Sequence, residues 1–267
     1  MHREKLKDKQ RIVIKIGTAL LTYDNGKINL LRLEKLARVI ASLQHAGREV
    51  ILITSGAVGA GIGVMDLENK PDDIIGKQAL ASIGQAALLR MYETFFNEYN
   101  QVIGQVLLTR DGLEDPLRRN NAKNTIEKLL HMGATPVINE NDAVATEEIE
   151  FGDNDVLSAM VATMVGADLL IILTTTDGVF TEDPKKNINA RQVSTVTAVG
   201  DELKDINADG TTDLGSGGMK SKIEAAEYCR KNNIDVVIAD GSDADNIIDI
   251  LEGKKQGTHF VSSTKNT

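Results

Sequence analysis

Ile12-Val13-Ile14-Lys15-Ile16-Gly17 places a cation inside an apolar, β-branched run. Such a run reads as a strand buried on both faces, the kind that parallel sheets contain. A desolvated ammonium without a partner costs several kcal/mol, so Lys15 is expected to meet an anion. The Gly17-Thr18 pair then turns the chain at the strand's carboxyl end, where α/β sheets place their ligands.

The pattern repeats outward from this strand. Residues 12–16, 50–54, 102–109, 135–139, 169–174 and 235–239 read as strands. Helical periodicity fills the intervals. Leu33, Leu36, Ala37, Ile40 and Leu43 form one apolar stripe, with Asn29 as its N-cap and Gly47 closing it. Further helices are expected over 77–99, 117–131, 156–165, 219–232 and 244–251, and another after residue 56. Strands separated by helices imply a mainly parallel sheet covered on both sides. Residues 181–216, rich in Asp, Asn, Thr and Gly, read as hairpins and loops. No repeat or domain boundary interrupts residues 1–267, which are expected to form one domain.

Composition narrows the class. No apolar run approaches the ~20 residues of a membrane span, and no apolar segment follows the charged N-terminus, so a cytoplasmic location is expected. Cys229 is the single cysteine, which excludes an internal disulfide and a cysteine metal cluster. Four scattered histidines give no metal-ligand spacing. The formal charge of −9 opposes a nucleic-acid partner.

Three further segments carry chemistry. Ile53-Thr54-Ser55-Gly56-Ala57-Val58-Gly59-Ala60-Gly61 leaves a strand through small residues and enters a helix, and amides at such a turn can hold an anion. Its glycine spacing is not that of the dinucleotide fingerprint. Asn139-Glu140-Asn141-Asp142 follows a strand and belongs at the sheet's carboxyl edge; nearby, Gly152-Asp153-Asn154-Asp155 opens a helix, with Asp153 a candidate N-cap. Gly215-Ser216-Gly217-Gly218-Met219-Lys220-Ser221-Lys222 is not a P-loop, yet glycine amides, a helix start and lysines make an anion cradle. Three- and four-residue spacing puts Lys222 on the face of Met219, Ala226 and Cys229, pointing inward, while Lys220 points elsewhere.

Lys15-Ile16-Gly17-Thr18, residues 53–58, Asn139 to Val144, 152–155 and 215–222 together resemble the glutamate 5-kinases of the amino acid kinase family, in order and over nearly the whole chain. The resemblance implies a three-layer α/β/α sandwich with a mainly parallel, eight-stranded sheet. It implies that Lys15 and Lys222 contact the transferred phosphoryl group while Asp155 orients both. Ser55, Gly56, Ala57, Asp142 and Asn154 match substrate-binding positions. Thr174 and Thr175 match a nucleotide-binding pair that usually ends in aspartate, so Thr175 departs from the pattern, and Ser216, Gly217, Gly218, Met219, Lys220, Ser221 and Lys222 match the nucleotide loop. Lys220 replaces a small hydroxylic residue there.

The implied reaction is attack of the γ-carboxylate of L-glutamate on the γ-phosphoryl of ATP, without a general base because the carboxylate is already ionised. Catalysis is then positioning and electrostatics. Magnesium is expected on the ATP phosphates and not on a protein ligand set. The resemblance further implies proline as feedback inhibitor, a homo-oligomer (dimer or tetramer), transfer of the product to glutamyl phosphate reductase, and a catalytic domain without the C-terminal RNA-binding-like (PUA) domain found in many members. Two alternatives remain: another carboxylate or carbamate kinase of the same family, such as an acetylglutamate or carbamate kinase, and a non-catalytic amino-acid sensor. Retention of both Lys15 and Lys222 argues against the sensor.

Overall fold

The computed structural model describes residues 2–23, 27–145, 154–182, 184, 186–197 and 218–263. Eight strands form one sheet: β1 (Arg11–Ile16), β2 (Glu49–Ile53), β3 (Ile103–Leu108), β4 (Thr135–Glu140), β5 (Leu169–Thr174), β6 (Thr195–Val196), β7 (Asp235–Asp240) and β8 (Thr258–Phe260). Their order across the sheet is β3-β4-β2-β1-β5-β7-β8-β6. All pairings are parallel except β7 with β8. The chain builds leftward from β1 through β2 and β4 and then crosses to β5, so the direction of winding reverses between β1 and β5. Such a switch point opens a crevice at the strands' carboxyl ends, and Lys15 sits beside it.

Alternation along β1 divides the core in two. Ile12, Ile14 and Ile16 face a layer built from α2 (Leu30–His45), α4 (Ile74–Glu98) and α9 (Asp245–Leu251), with Tyr92 and Phe96 buried in it. Val13 faces the opposite layer of α6 (Pro116–His131), α7 (Asn154–Met164) and α8 (Met219–Lys231). By the same two-residue period Lys15 projects towards α7. Two short helices, α1 (Thr18–Leu21) and α5 (Arg110–Glu114), and α3 (Ala57–Met65) complete the set. None of the helices is long and apolar enough to cross a membrane among the described residues.

The caps follow the sequence closely. Asn29 accepts a hydrogen bond from the Arg32 N–H, and Gly47 takes the left-handed conformation that ends α2. Asp73 and Asp115 cap α4 and α6 in the same way. β3 departs from the expected two-face burial: it is the edge strand, and Gln105 and Leu107 are exposed. The short strands β6 and β8 lack a periodic signal long enough to read. They are held instead by polar anchors. Asp235 accepts hydrogen bonds from His259 Nε2 and the Ser262 N–H, each at 3.0 Å, and pairs with Lys9 at 2.5 Å. The Arg3 guanidinium donates to four carbonyls, those of Ser194, Lys254, Gln256 and Gly257.

α3 and α4 cross with backbone against backbone. A Cβ on Gly61 would lie 2.1 Å from the Leu80 carbonyl oxygen, and one on Gly84 would lie 1.8 Å from that of Ala57. Only glycine permits this approach. It fixes the start of α3, and with it Ser55, against the longest helix in the described structure.

Candidate active site

Lys15, at the end of β1, and Lys222, in the first turn of α8, converge on one carboxylate. Asp155 Oδ1 pairs with Lys15 Nζ, and Oδ2 lies 2.9 Å from Lys222 Nζ. Ser221 Oγ also donates to Oδ2, at 3.1 Å, and to the Gly218 carbonyl at 2.8 Å. Asp155 is completely buried, and the lysines are 4% and 7% exposed. Two ammonium groups thus share one buried carboxylate, and ammonium groups held in so dry a position are stabilised by anions placed close to them. A Cβ on Gly17, directly after β1, would lie 3.9 Å from Lys15 Nζ, an ordinary van der Waals contact.

Asn154, the residue before Asp155, turns to the other side. Its Nδ2 donates to the Thr54 carbonyl at 2.6 Å, Asn139 Oδ1 at 2.9 Å and Ser55 Oγ at 3.0 Å. A carbonyl can only accept, so this network fixes which end of the Asn154 amide faces inward. Gly56 follows with φ of +94°, a left-handed N-cap that bends the chain into α3. The first amides of α3 have no intrahelical acceptor and sit beside Ser55, a ready site for a carboxylate. Asp142 is half-buried in the turn after β4 and lines a 520 Å³ cleft with Gln85, Glu140 and Asn141.

The residues expected to hold the nucleotide are described only in part. Gly218 caps α8 without a side-chain hydrogen bond, leaving first-turn amides open to an anion. Lys220 is exposed and Lys222 buried, as their helical phase predicts. Thr174 is half-buried at the end of β5 and Thr175 is exposed. Ser216 and Gly217, like Gly152 and Asp153, lie outside the described residues.

The site also contains residues to which sequence reading gave no role. Asn139 is 2% exposed and donates from Nδ2 to Gln85 Oε1 at 2.6 Å. Its signal was its place at the head of the Asn139-Glu140-Asn141-Asp142 cluster that closes a buried strand. Thr54 shares a 2.8 Å hydrogen bond with the Tyr92 hydroxyl, whose pKa burial drives upward. Gln85 and Tyr92 sit on α4, where nothing local separates them from that helix's other polar groups.

Among the described residues no group of three His, Cys, Asp or Glu side chains could hold a metal ion. Among the described residues Asp155 pairs with both lysines, and each of its oxygens faces an ammonium group, an arrangement that does not suit a divalent cation.

Comparison with known proteins gives the family and the fold. The profile described as the amino acid kinase family matches residues 10–240. A protein of Clostridium perfringens named glutamate 5-kinase is 46% identical over 264 residues, covering 97% of this chain and 98% of that one. Another of that name, from Caldanaerobacter subterraneus, is 50% identical over 252 residues, covering 94% of this chain and 68% of its own length. The Listeria innocua glutamate 5-kinase is 45% identical, covering 97% and 96%. In fold, the chain is similar to UMP kinase from Ureaplasma parvum, with TM-score 0.64, 21% identity and coverage of 95% and 99%. Isopentenyl phosphate kinase from T. acidophilum gives TM-score 0.66 at 17% identity, covering 94% and 100%. The buried carboxylate clamped by two lysines beside the sheet's switch point is thus set in a sequence that the family profile matches over residues 10–240 and the glutamate 5-kinases over 94–97% of its length: the chain belongs to the amino acid kinase family, on its glutamate 5-kinase branch.

Proposed function

We propose that this chain phosphorylates the γ-carboxylate of L-glutamate with ATP, giving L-glutamyl 5-phosphate, the first step towards proline. The observation that carries this reading is the pairing of Lys15 and Lys222 with Asp155 directly beside the Asn154-Ser55 amide and hydroxyl cluster. One side offers cations to a phosphoryl group, and the other offers acceptors and helix amides to an amino acid.

Lys15 and Lys222 bind the oxygens of the transferred phosphoryl and of the departing ADP. Their charge counts most when negative charge shifts in the transition state. Asp155 holds both ammonium groups in place and keeps their mutual repulsion from splaying them. Ser55, Gly56 and Ala57 receive the amino acid's carboxylate, and Asp142 and Asn154 its ammonium. Gly218 to Lys222, with Ser216 and Gly217, cradle the ATP phosphates, and Thr174 and Thr175 flank the nucleoside. A magnesium ion, carried by the ATP phosphates, would supply further neutralisation of their charge. The enzyme works as a cytoplasmic homo-oligomer, proline inhibits it from the glutamate site, and the labile acyl phosphate passes to a reductase. The 267 residues act as one catalytic domain.

Hydroxylamine trapping of acyl phosphate, with ATP, magnesium and a panel of glutamate, acetylglutamate, aspartate and carbamate, tests this reading. Hydroxamate with glutamate alone is expected. A preference for another acceptor would move the chain to a sister activity, and no product with any acceptor would favour a sensor.

A further inference from the structure

Asn154 does not stand alone in the amino-acid half of the site. Its Nδ2 meets Asn139 Oδ1 at 2.9 Å, and Asn139 Nδ2 in turn donates to Gln85 Oε1 at 2.6 Å. The Thr54 carbonyl, which can only accept, sets the direction of the whole relay. Because it takes a hydrogen from Asn154 Nδ2, Asn139 must present its oxygen to Asn154 and its NH₂ to Gln85. Gln85 must then present Oε1. With Nδ2 committed to Thr54, Ser55 and Asn139, Oδ1 is the end of the Asn154 amide left for a ligand.

Asn139 is almost wholly buried, so a reversed amide there would set two NH₂ groups against each other with no water to separate them. Gln85 is half-buried on α4, remote in sequence from both asparagines, and forms part of the wall of the 520 Å³ cleft that also contains Asp142. α4 is also the helix that Gly84 locks against Ala57 at the start of α3. The residue after that lock is therefore held at a fixed height over Asn139.

We propose that Gln85 is a positioning residue for the amino-acid substrate, acting through Asn139 to hold the Asn154 amide with Oδ1 towards the substrate's ammonium group. This rests on the glutamate kinase reading of the site. Gln85 touches no reacting atom, so its loss should weaken glutamate binding and leave the phosphoryl-transfer apparatus of Lys15, Lys222 and Asp155 intact.

The test is steady-state kinetics of four single variants and one pair. Gln85→Met keeps length and shape but removes the acceptor; it should raise the KM for glutamate about 3- to 10-fold, as expected for one lost hydrogen bond, with kcat and the KM for ATP changed less than about twofold. Gln85→Glu, which retains an acceptor oxygen, should stay near wild type. In an Asn139→Ala background, Gln85→Met should add no further change, because the relay is already cut. Gln85→Ala repeats the measurement should the methionine variant fold poorly. An unchanged glutamate KM, an equal rise in Gln85→Glu, a rise that persists without Asn139, or a parallel rise in the KM for ATP would each overturn the proposal. Wild-type protein that makes no hydroxamate from glutamate would instead overturn the function on which it rests.

Discussion

Asn154 and Asp155 are consecutive in the chain yet face opposite halves of the site. Asn154 bonds to Thr54, Ser55 and Asn139 on the side of β2 and β4, while Asp155 bonds to Lys15 and Lys222 on the side of β1 and α8. The start of α7 therefore joins the two halves: in the proposed reaction it would fix the distance between the amino acid and the phosphoryl donor through one peptide bond. A shift of this turn would misplace both reactants at once.

Replacing either lysine tests the cationic half. Lys15→Ala and Lys222→Ala should each lower kcat by about 100-fold or more, the effect of losing one preorganised donor worth about 2.7 to 4 kcal/mol. Circular dichroism should report a folded protein. Wild-type turnover in a folded variant would remove that lysine from the mechanism.

Asp155→Asn keeps the shape of the side chain and removes the charge between two buried ammonium groups. The apo protein should lose about 3 to 5 kcal/mol of stability, the range for breaking a buried ion pair. ATP brings a replacement anion, so it should raise the melting temperature of the variant more than that of wild type. Turnover should fall far more than affinity. Calorimetry with and without nucleotide checks the first two expectations and initial-rate kinetics the third. A variant with only a raised KM would place Asp155 in substrate binding.

Asp142→Ala should weaken glutamate and proline together, by about 1.5 to 3 kcal/mol each, as expected for a hydrogen bond to a charged group. Both ligands present an α-ammonium of similar reach. Titration of each ligand into the variant decides it. Proline affinity that survives while glutamate affinity falls would require a separate inhibitor pocket.

Gly84→Ala adds one methyl group where α4 meets the Ala57 carbonyl. The helices must separate, costing about 1 to 3 kcal/mol for overpacking, and the displaced start of α3 carries Ser55 with it. Glutamate KM should rise alongside the loss of stability. Unchanged denaturation midpoints would mean that the two helices are free to slide apart.

Acid sensitivity should come in part from Asp235. Burial alone would raise its pKa, but hydrogen bonds from His259, Lys9 and the Ser262 N–H outweigh burial and hold the carboxyl well below the usual carboxylate range. A depressed folded-state pKa adds stability above the unfolded value of about 3.9, and that stability is lost as pH falls below it towards the folded value. Asp235→Asn should therefore lower the melting temperature at pH 7 and flatten its decline between about pH 4 and 2. Parallel decline curves for wild type and variant would show that Asp235 is not a source of the acid limb.

The sequence was legible where one residue type could satisfy a local demand. Asn29, Gly47 and the six long strands were readable because caps and apolar runs depend on neighbours a few residues away. Lys15 stood out for the opposite reason, as a charge that its neighbours could not accommodate. Gln85 and Tyr92 were invisible because their partners, Asn139 and Thr54, come from distant strands that only the folded sheet brings near. β6 and β8 were missed because their order comes from Arg3 and Asp235 and not from any period of their own.

The division of β1 between two cores has a consequence for how the chain finds its fold. Ile14 and Ile16 face one helical layer, and Lys15 projects to the other, where Asp155 waits. A slip of one residue in the pairing of β1 with β2 or β5 would turn the ammonium towards the largely apolar layer of α2, α4 and α9 and away from Asp155. The side chain proposed to draw a phosphoryl group would thus also penalise misaligned folding intermediates, so turnover and correct strand alignment would both depend on a single atom, Lys15 Nζ.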